Sequence, residues 1–150
     1  YIKWENAGTH EERLGLLSQG KIQAASLMEP WISVAEKQGA RVVMESHSAR
    51  SEAAGDELDG PTLKKMFNAE ARAAEAIQKN PAKYAHYLLN EAGNELNASD
   101  LKLSRILNAP PEPYTRDRFD ENYQWALGWG QNLAEPGATF ENTVDNRAWQ

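Results

Sequence analysis

The sequence contains no cysteine, which excludes disulfides, thiolate metal sites and thiol catalysis. It has only three histidines, His10, His47 and His86, and no two of them stand at the spacing of a zinc-binding motif. It also lacks a glycine-rich phosphate-binding loop and the G-x-S-x-G elbow of serine hydrolases. We therefore predict no catalytic residue, no metal site and no cofactor, and we expect a protein that is not an enzyme.

Positive charge and long apolar runs are also scarce. Lysine and arginine number 16 against 22 acidic residues, which gives a formal net charge of −6 at pH 7. Because a phosphate-binding surface needs clustered Lys and Arg, we expect no nucleic acid partner. No apolar run approaches the roughly 18 residues of a membrane span. No signal peptide is visible, and because the chain opens at Tyr1 without methionine, in a strand-like pattern, we expect it to start inside a longer protein.

The first 45 residues alternate short apolar runs with helix signals. The apolar runs at residues 2–6, 22–28 and 41–45 are candidate strands. Between the first two, Thr9 and Glu12 form a capping-box pattern that opens a helix ended by Gly20. A second helix is indicated from Trp31 to Gly39. This order predicts a small parallel βαβαβ sheet with covering helices.

The rest of the chain is predicted to be a linker followed by helices. Residues 46–60 are polar, small and rich in turn formers, as is typical of a hinge. Helix starts are indicated at Pro61, Asn80-Pro81, Ser99-Asp100 and Thr115. The last long helix carries an apolar stripe of Phe119, Tyr123 and Leu127 beside a row of Trp125 and Trp129. The sequence thus predicts an α/β protein in three parts, at residues 1–45, 46–60 and 61–150.

One short stretch, Glu29-Pro30-Trp31, is a candidate binding site. Ligands of open parallel sheets bind beyond the carboxyl ends of the strands, and Glu29 stands at such an end. Pro30 suits the start of the next helix, which places the Trp31 indole near the strand tips. A carboxylate beside an aromatic ring suits a flat ligand with N–H donors or a cationic group. The alternative that Trp31 packs in the core and Glu29 favours the helix N-terminus remains open.

Several motifs, in a fixed order, carry a resemblance to a known family. A helix ending in Leu-Leu-Ser-Gln-Gly at residues 16–20 is followed by Ile-Gln-Ala-Ala at 22–25 and by Glu29-Pro30, with Gln23 where Asp is common. The later segments NPAKYAHYLLNEA and VDNRAW fit the same pattern. The sequence resembles the NMT1/THI5-like branch of ABC-transporter substrate-binding proteins, which includes binding proteins for nitrate, sulfonates, taurine and thiamine-pyrimidine precursors.

The resemblance implies the carboxyl-terminal part of a two-lobed periplasmic-binding-protein-like fold, whose first lobe is missing from this sequence. Glu29 and Trp31 would face the interlobe cleft, with Thr9, Ser46 and His47 at neighbouring strand tips. The implied function is capture of a small solute for an ABC importer, with permease and ATPase components as partners. The implied location is the periplasm, or the outer face of the membrane through an anchor.

Two other functions stay open. The same fold family includes an enzyme branch that makes a pyrimidine precursor, which resembles this fold but uses a Cys-rich stretch that is lacking here. A free-standing helical interaction module is the second alternative. If the chain is part of a two-lobed binding protein, its unpaired sheet edges and the wide aromatic stripe of its last helix predict self-association of the chain alone.

Overall fold

The computed structural model describes residues 3, 6–48, 55–129 and 136–150, and within these ranges the protein is helical. Six α-helices lie in the described ranges: α1 (His10–Ser18), α2 (Trp31–Lys37), α3 (Gly60–Lys79), α4 (Pro81–Glu91), α5 (Arg116–Gly128) and α6 (Phe140–Thr143). Two short 3₁₀ turns cover Leu103–Arg105 and Arg147–Trp149. None of the described helices has the length and apolarity that crossing a membrane requires.

The predicted α/β class is wrong, because the described residues contain no strand and therefore no parallel βαβαβ sheet. The candidate strand at 2–6 lies mostly outside the described residues. The candidates at 22–28 and 41–45 have irregular backbone. A strand exists only beside a neighbour that satisfies its backbone groups, and a pattern in one segment cannot supply that neighbour. In the candidate at 41–45, Val43 and Met44 are 73% and 80% exposed, so no part of the described chain covers these side chains.

By its internal packing the chain divides into two units, of which the first comprises Tyr1–Arg50 and Ala76–Asn108. Its core is a cluster of five buried apolar residues from α1, α2 and the end of α4: Leu14, Val34, Ala35, Ala92 and Leu96. Leu27, Trp31, Ala40 and Leu89 pack against this cluster while partly exposed. The Arg13 guanidinium donates to the carbonyl oxygens of Gly8 and Ser26, at 2.9 and 3.1 Å. This side chain therefore holds the irregular segment 22–28 against α1.

The predicted helix caps of the first unit are largely confirmed. The Thr9 hydroxyl accepts from the Glu12 amide at 3.2 Å, and the Glu12 carboxylate accepts from the Thr9 amide at 2.7 Å. Asn80 caps α4 with Pro81 at its first position. The helix predicted from Ser99-Asp100 is wrong, and only the turn Leu103–Arg105 is present. Asp100 accepts from the preceding Asn97 amide at 2.8 Å, so its carboxylate closes a turn instead of capping a helix.

The second unit comprises Ser51–Glu75 and Ala109–Gln150. Thr115 caps α5 as predicted, and the rings of Phe119 and Tyr123 stack along that helix at 5.7 Å. Phe119 is buried, whereas the neighbouring indoles of Trp125 and Trp129 are 57% and 53% exposed. The carboxyl-terminal segment forms α6 and the 3₁₀ turn Arg147–Trp149.

Contacts from this segment to α3 complete the second unit. A Cβ on Gly60 would lie 2.7 Å from the Arg147 carbonyl oxygen, so the close approach of the two backbones requires glycine there. The Phe67 ring stacks on Trp149 at 5.5 Å. Arg147 also donates to the Leu58 carbonyl oxygen at 2.9 Å.

Candidate functional site

An open cavity of about 500 Å³ lies in the first unit, between α1, the start of α2 and the end of α4. Its apolar wall is formed by Leu14, Trp31 and Ala92. Leu14 and Ala92 are buried core residues, so this wall is fixed by the packing of the unit. A volume of this size is within the range of small-molecule sites.

Trp31 holds its place through the local sequence. Pro30 is fully buried and directly precedes α2, so the indole projects from the first residue of that helix. The side chain packs on the core cluster and also lines the cavity. Trp31 is therefore part of the core packing and also presents a surface to the cavity, and its role as a ligand contact stays a prediction.

The polar wall of the cavity is acidic. Three carboxylates line it, Glu11 from α1 together with Glu91 and Glu95 from the end of α4 and the loop after it, and none of the described lining residues is Lys or Arg. Lys37 donates to the Glu95 carbonyl oxygen at 2.8 Å, but its charge is offset by Asp100 at 2.9 Å. The cavity thus favours a positive group.

Glu29 lies in a different environment from Trp31. Its side chain is only 8% exposed. The Glu29 carboxylate accepts from the Ser33 amide at 3.2 Å and lies 3.3 Å from the Arg105 guanidinium. It is not among the residues that line the cavity. In this structure the carboxylate joins the turn before α2 to the turn Leu103–Arg105.

Arg105 is the centre of an ion cluster that sequence reasoning missed. Its guanidinium contacts Glu36 at 2.7 Å and Glu45 at 2.8 Å in addition to Glu29, while only 14% of its side chain is exposed. The Lys102 ammonium nitrogen lies 2.6 Å from a carboxylate oxygen of Glu36, so two positive groups contact that carboxylate. The hydrogen bonds from Arg105 and then from Lys102 lower the pKa of Glu36 from 4.5 to about 2. The same carboxylates, Glu36 first, raise the pKa of Arg105.

No local pattern could have identified this cluster. Arg105 and Glu29 are separated by 76 positions in the chain, and Arg105 stands in the LSRIL stretch that the apolar spacing assigned to a helix. The only signal is that a permanently charged residue interrupts an apolar segment, and such a residue needs a partner when it is buried. The sequence does not say which of its 22 acidic residues provides that partner.

The remaining predicted site residues do not meet at the cavity. Thr9 is the N-cap of α1. Ser46 and His47 are exposed in the irregular segment that follows Glu45. Of the five predicted ligand contacts, Trp31 is the one that lines the cavity. The ligand-binding roles of all five residues stay predictions.

The rest of the described chain offers weaker candidates. A second open cavity of about 480 Å³ beside α1 has no aromatic side chain, and its Glu12 carboxylate is used in the capping box. Within the described ranges, no three His, Asp or Glu side chains stand together as a metal site. Comparisons of the chain with protein-family models, with curated proteins and with solved structures gave no match.

Proposed function

We propose that this chain is the substrate-binding component of an ABC importer and captures a small solute against Trp31. The observation that carries the proposal is the cavity of about 500 Å³ with the Trp31 indole on its wall. The resemblance of residues 11–46 to solute-binding proteins supports the same function. The proposal needs no sheet, because α1, α2, the end of α4 and the loop after it line the open cavity.

The charges around the cavity narrow the class of solute. An aromatic face attracts a cation by up to about 2 kcal/mol when the contact is desolvated. Glu11, Glu91 and Glu95 add attraction for N–H donors and repel anions. Within the solute types that the resemblance implies, an aminopyrimidine precursor therefore fits better than nitrate or a sulfonate.

A thermal-shift screen of the full chain tests this function. The panel contains an aminopyrimidine, a polyamine, taurine, an alkyl sulfonate and nitrate. At a hundredfold excess over Kd, binding adds about 2.7 kcal/mol of stability, which raises Tm by several degrees. We expect this rise for the aminopyrimidine and the polyamine, which carry no anionic group. A panel in which no solute raises Tm contradicts the proposed function.

Two double variants test whether the rise in Tm depends on the acidic wall of the cavity. Glu91→Gln combined with Glu95→Gln removes two of its charges, and we expect the rise in Tm to shrink. The matched control is Glu70→Gln with Glu75→Gln on α3, which changes the net charge equally at exposed positions that do not line the cavity. An equal loss in both pairs would mean that overall charge, and not the cavity, attracts the solute.

A free-standing helical interaction module is the second candidate. The exposed indoles of Trp125 and Trp129, with ring centroids 5.1 Å apart at the carboxyl end of α5, favour it. Such paired aromatic residues are typical of protein-binding surfaces. The neighbouring genes discriminate between the two functions, because permease and ATPase genes beside this one favour transport and an isolated gene favours the module.

A further inference from the structure

The segment after α2 has an unusual surface. Residues 40–48 run without helix, turn, bend or strand pairing. The side chains of Val42, Val43 and Met44 face solvent, at 38%, 73% and 80% exposed. Within the described residues, the backbone of residues 41–45 makes no hydrogen bond to another segment. A segment with β-branched residues and free backbone groups can pair as a strand with another chain.

We propose that a second copy of this chain pairs with residues 41–45 in an antiparallel, two-fold arrangement centred on Val43. The sequence Arg-Val-Val-Met-Glu is self-complementary about its centre. In this register Arg41 lies opposite Glu45 of the second copy, and Val42 lies opposite its Met44. The two Val43 side chains meet on the two-fold axis. Each cross-strand pair is thus of a kind that stabilises a sheet.

The charges of the segment support a second copy as the partner. Arg41 is exposed and has no ion pair within the described part of the chain. Glu45 accepts from the Arg105 guanidinium through Oε1 at 2.8 Å, but half of its side chain, 51%, remains exposed. The second carboxylate oxygen is therefore available to Arg41 of the second copy. Because the pairing is symmetric, this contact forms twice.

The proposal is independent of the proposed function. None of residues 41–45 lines the cavity beside Trp31, so the two surfaces can be altered separately. The sequence predicted self-association without naming the contact residues. The proposed pairing names them as residues 41–45 of both copies. It is an intermolecular antiparallel pair and differs from the predicted parallel sheet within one chain, of which the described residues show no strand.

The absence of cysteine from the chain gives a direct test. Val43→Cys places one thiol on the two-fold axis, where opposite Cα atoms are about 4.5–5.5 Å apart, within disulfide reach. We expect mild oxidation to convert this variant to a covalent dimer. Tyr87→Cys, at a position 67% exposed in the same unit, is the matched control and should remain monomeric on the same gel.

Charge exchange tests the register. Arg41→Glu puts like charges opposite each other, and we expect the dimer Kd from sedimentation equilibrium to rise about tenfold. Glu45→Lys should weaken self-pairing similarly. An equimolar mixture of the two variants restores both charge pairs, so we expect heterodimers with a Kd near that of the wild type.

The contrary results are equally specific. A wild-type chain that sediments as a monomer over the full concentration range overturns the proposal. So does a dimer that keeps its Kd in Arg41→Glu and gives no cross-link in Val43→Cys, because it would form through another surface such as Trp125 and Trp129. If Glu45→Lys fails to fold through loss of its Arg105 contact, the Val43→Cys cross-link still decides.

Discussion

At the scale of single residues, Arg105 has the largest structural consequence. It brings three carboxylates from three separate segments, Glu29, Glu36 and Glu45, to one guanidinium. Burying such charges is costly unless each is paired, and here the fork of donors on Arg105 provides the pairing. The sequence singled out Glu29 as a candidate ligand contact. It could not predict that Arg105 is the partner of Glu29, because that pairing depends on the packing of distant segments.

Removal of Arg105 should destabilise the protein strongly. Arg105→Ala leaves the Glu29 carboxylate buried without a counter-charge, and we expect the free energy of unfolding to fall by about 3–5 kcal/mol. Urea unfolding measures this loss. The control is Arg118→Ala, whose partner Glu112 is 67% exposed, and which should cost less than about 1 kcal/mol. Equal small losses in both variants would show that the Arg105 cluster is solvated and carries little energy.

Glu36 should make stability depend on pH in a defined window. Its pKa is lowered from 4.5 to about 2 by Arg105 and Lys102, so its contribution is fully present above pH 4.5 and is lost as the pH falls toward 2. Between pH 4.5 and 2 we expect the free energy of unfolding of the wild type to fall by on the order of 2–3 kcal/mol more than that of Glu36→Gln. Urea unfolding at a series of pH values measures both. Glu112→Gln, an exposed control, should follow the wild-type curve. Superimposable curves for wild type and Glu36→Gln would refute this assignment.

At the scale of secondary structure elements, the sequence predicted the helix caps, which depend only on residues close together in the chain. The caps at Thr9, Asn80 and Thr115 each need a side chain and an amide only three positions away, and all three are confirmed. The helix from Ser99-Asp100 and the strands at 22–28 and 41–45 are wrong. In the first case Asp100 accepts from a preceding amide, and in the second no neighbouring strand is present among the described residues.

The cap of α1 gives a prediction at this scale. Thr9→Ala removes the hydroxyl that accepts from the Glu12 amide, and we expect a loss of about 1 kcal/mol of stability. Thr9→Ser keeps the hydroxyl and should retain most of the wild-type stability. Thermal unfolding of the two variants side by side measures the difference. If Ser and Ala are equally destabilising, the methyl group of Thr9 and not its cap carries the energy.

At the scale of the whole molecule, the chain divides into two units whose segments alternate along the sequence. Residues 76–108 of the first unit come between the two segments of the second unit in the sequence. The boundary after Arg50 falls within the polar segment 46–60 that the composition marked as a linker, whereas the division at residues 75 and 76 depends on which distant segments pack together. The candidate site was predictable in part. Trp31 was indicated by its place after Glu29-Pro30, whereas Glu91 and Glu95 belong to a helix end that only the fold brings to α1 and α2.

Calorimetric titration of Trp31→Leu tests the central claim, that a small solute binds against the Trp31 indole, most directly. Leucine keeps an apolar side chain on the core but removes the aromatic face. Trp125→Leu, at an exposed indole of the second unit, is the control. With the solute that raises Tm most, we expect the Kd of Trp31→Leu to rise about 5- to 150-fold, which corresponds to about 1–3 kcal/mol, and that of Trp125→Leu to stay unchanged. Unchanged affinity in Trp31→Leu together with a lower Tm would contradict the claim and make Trp31 a core residue alone.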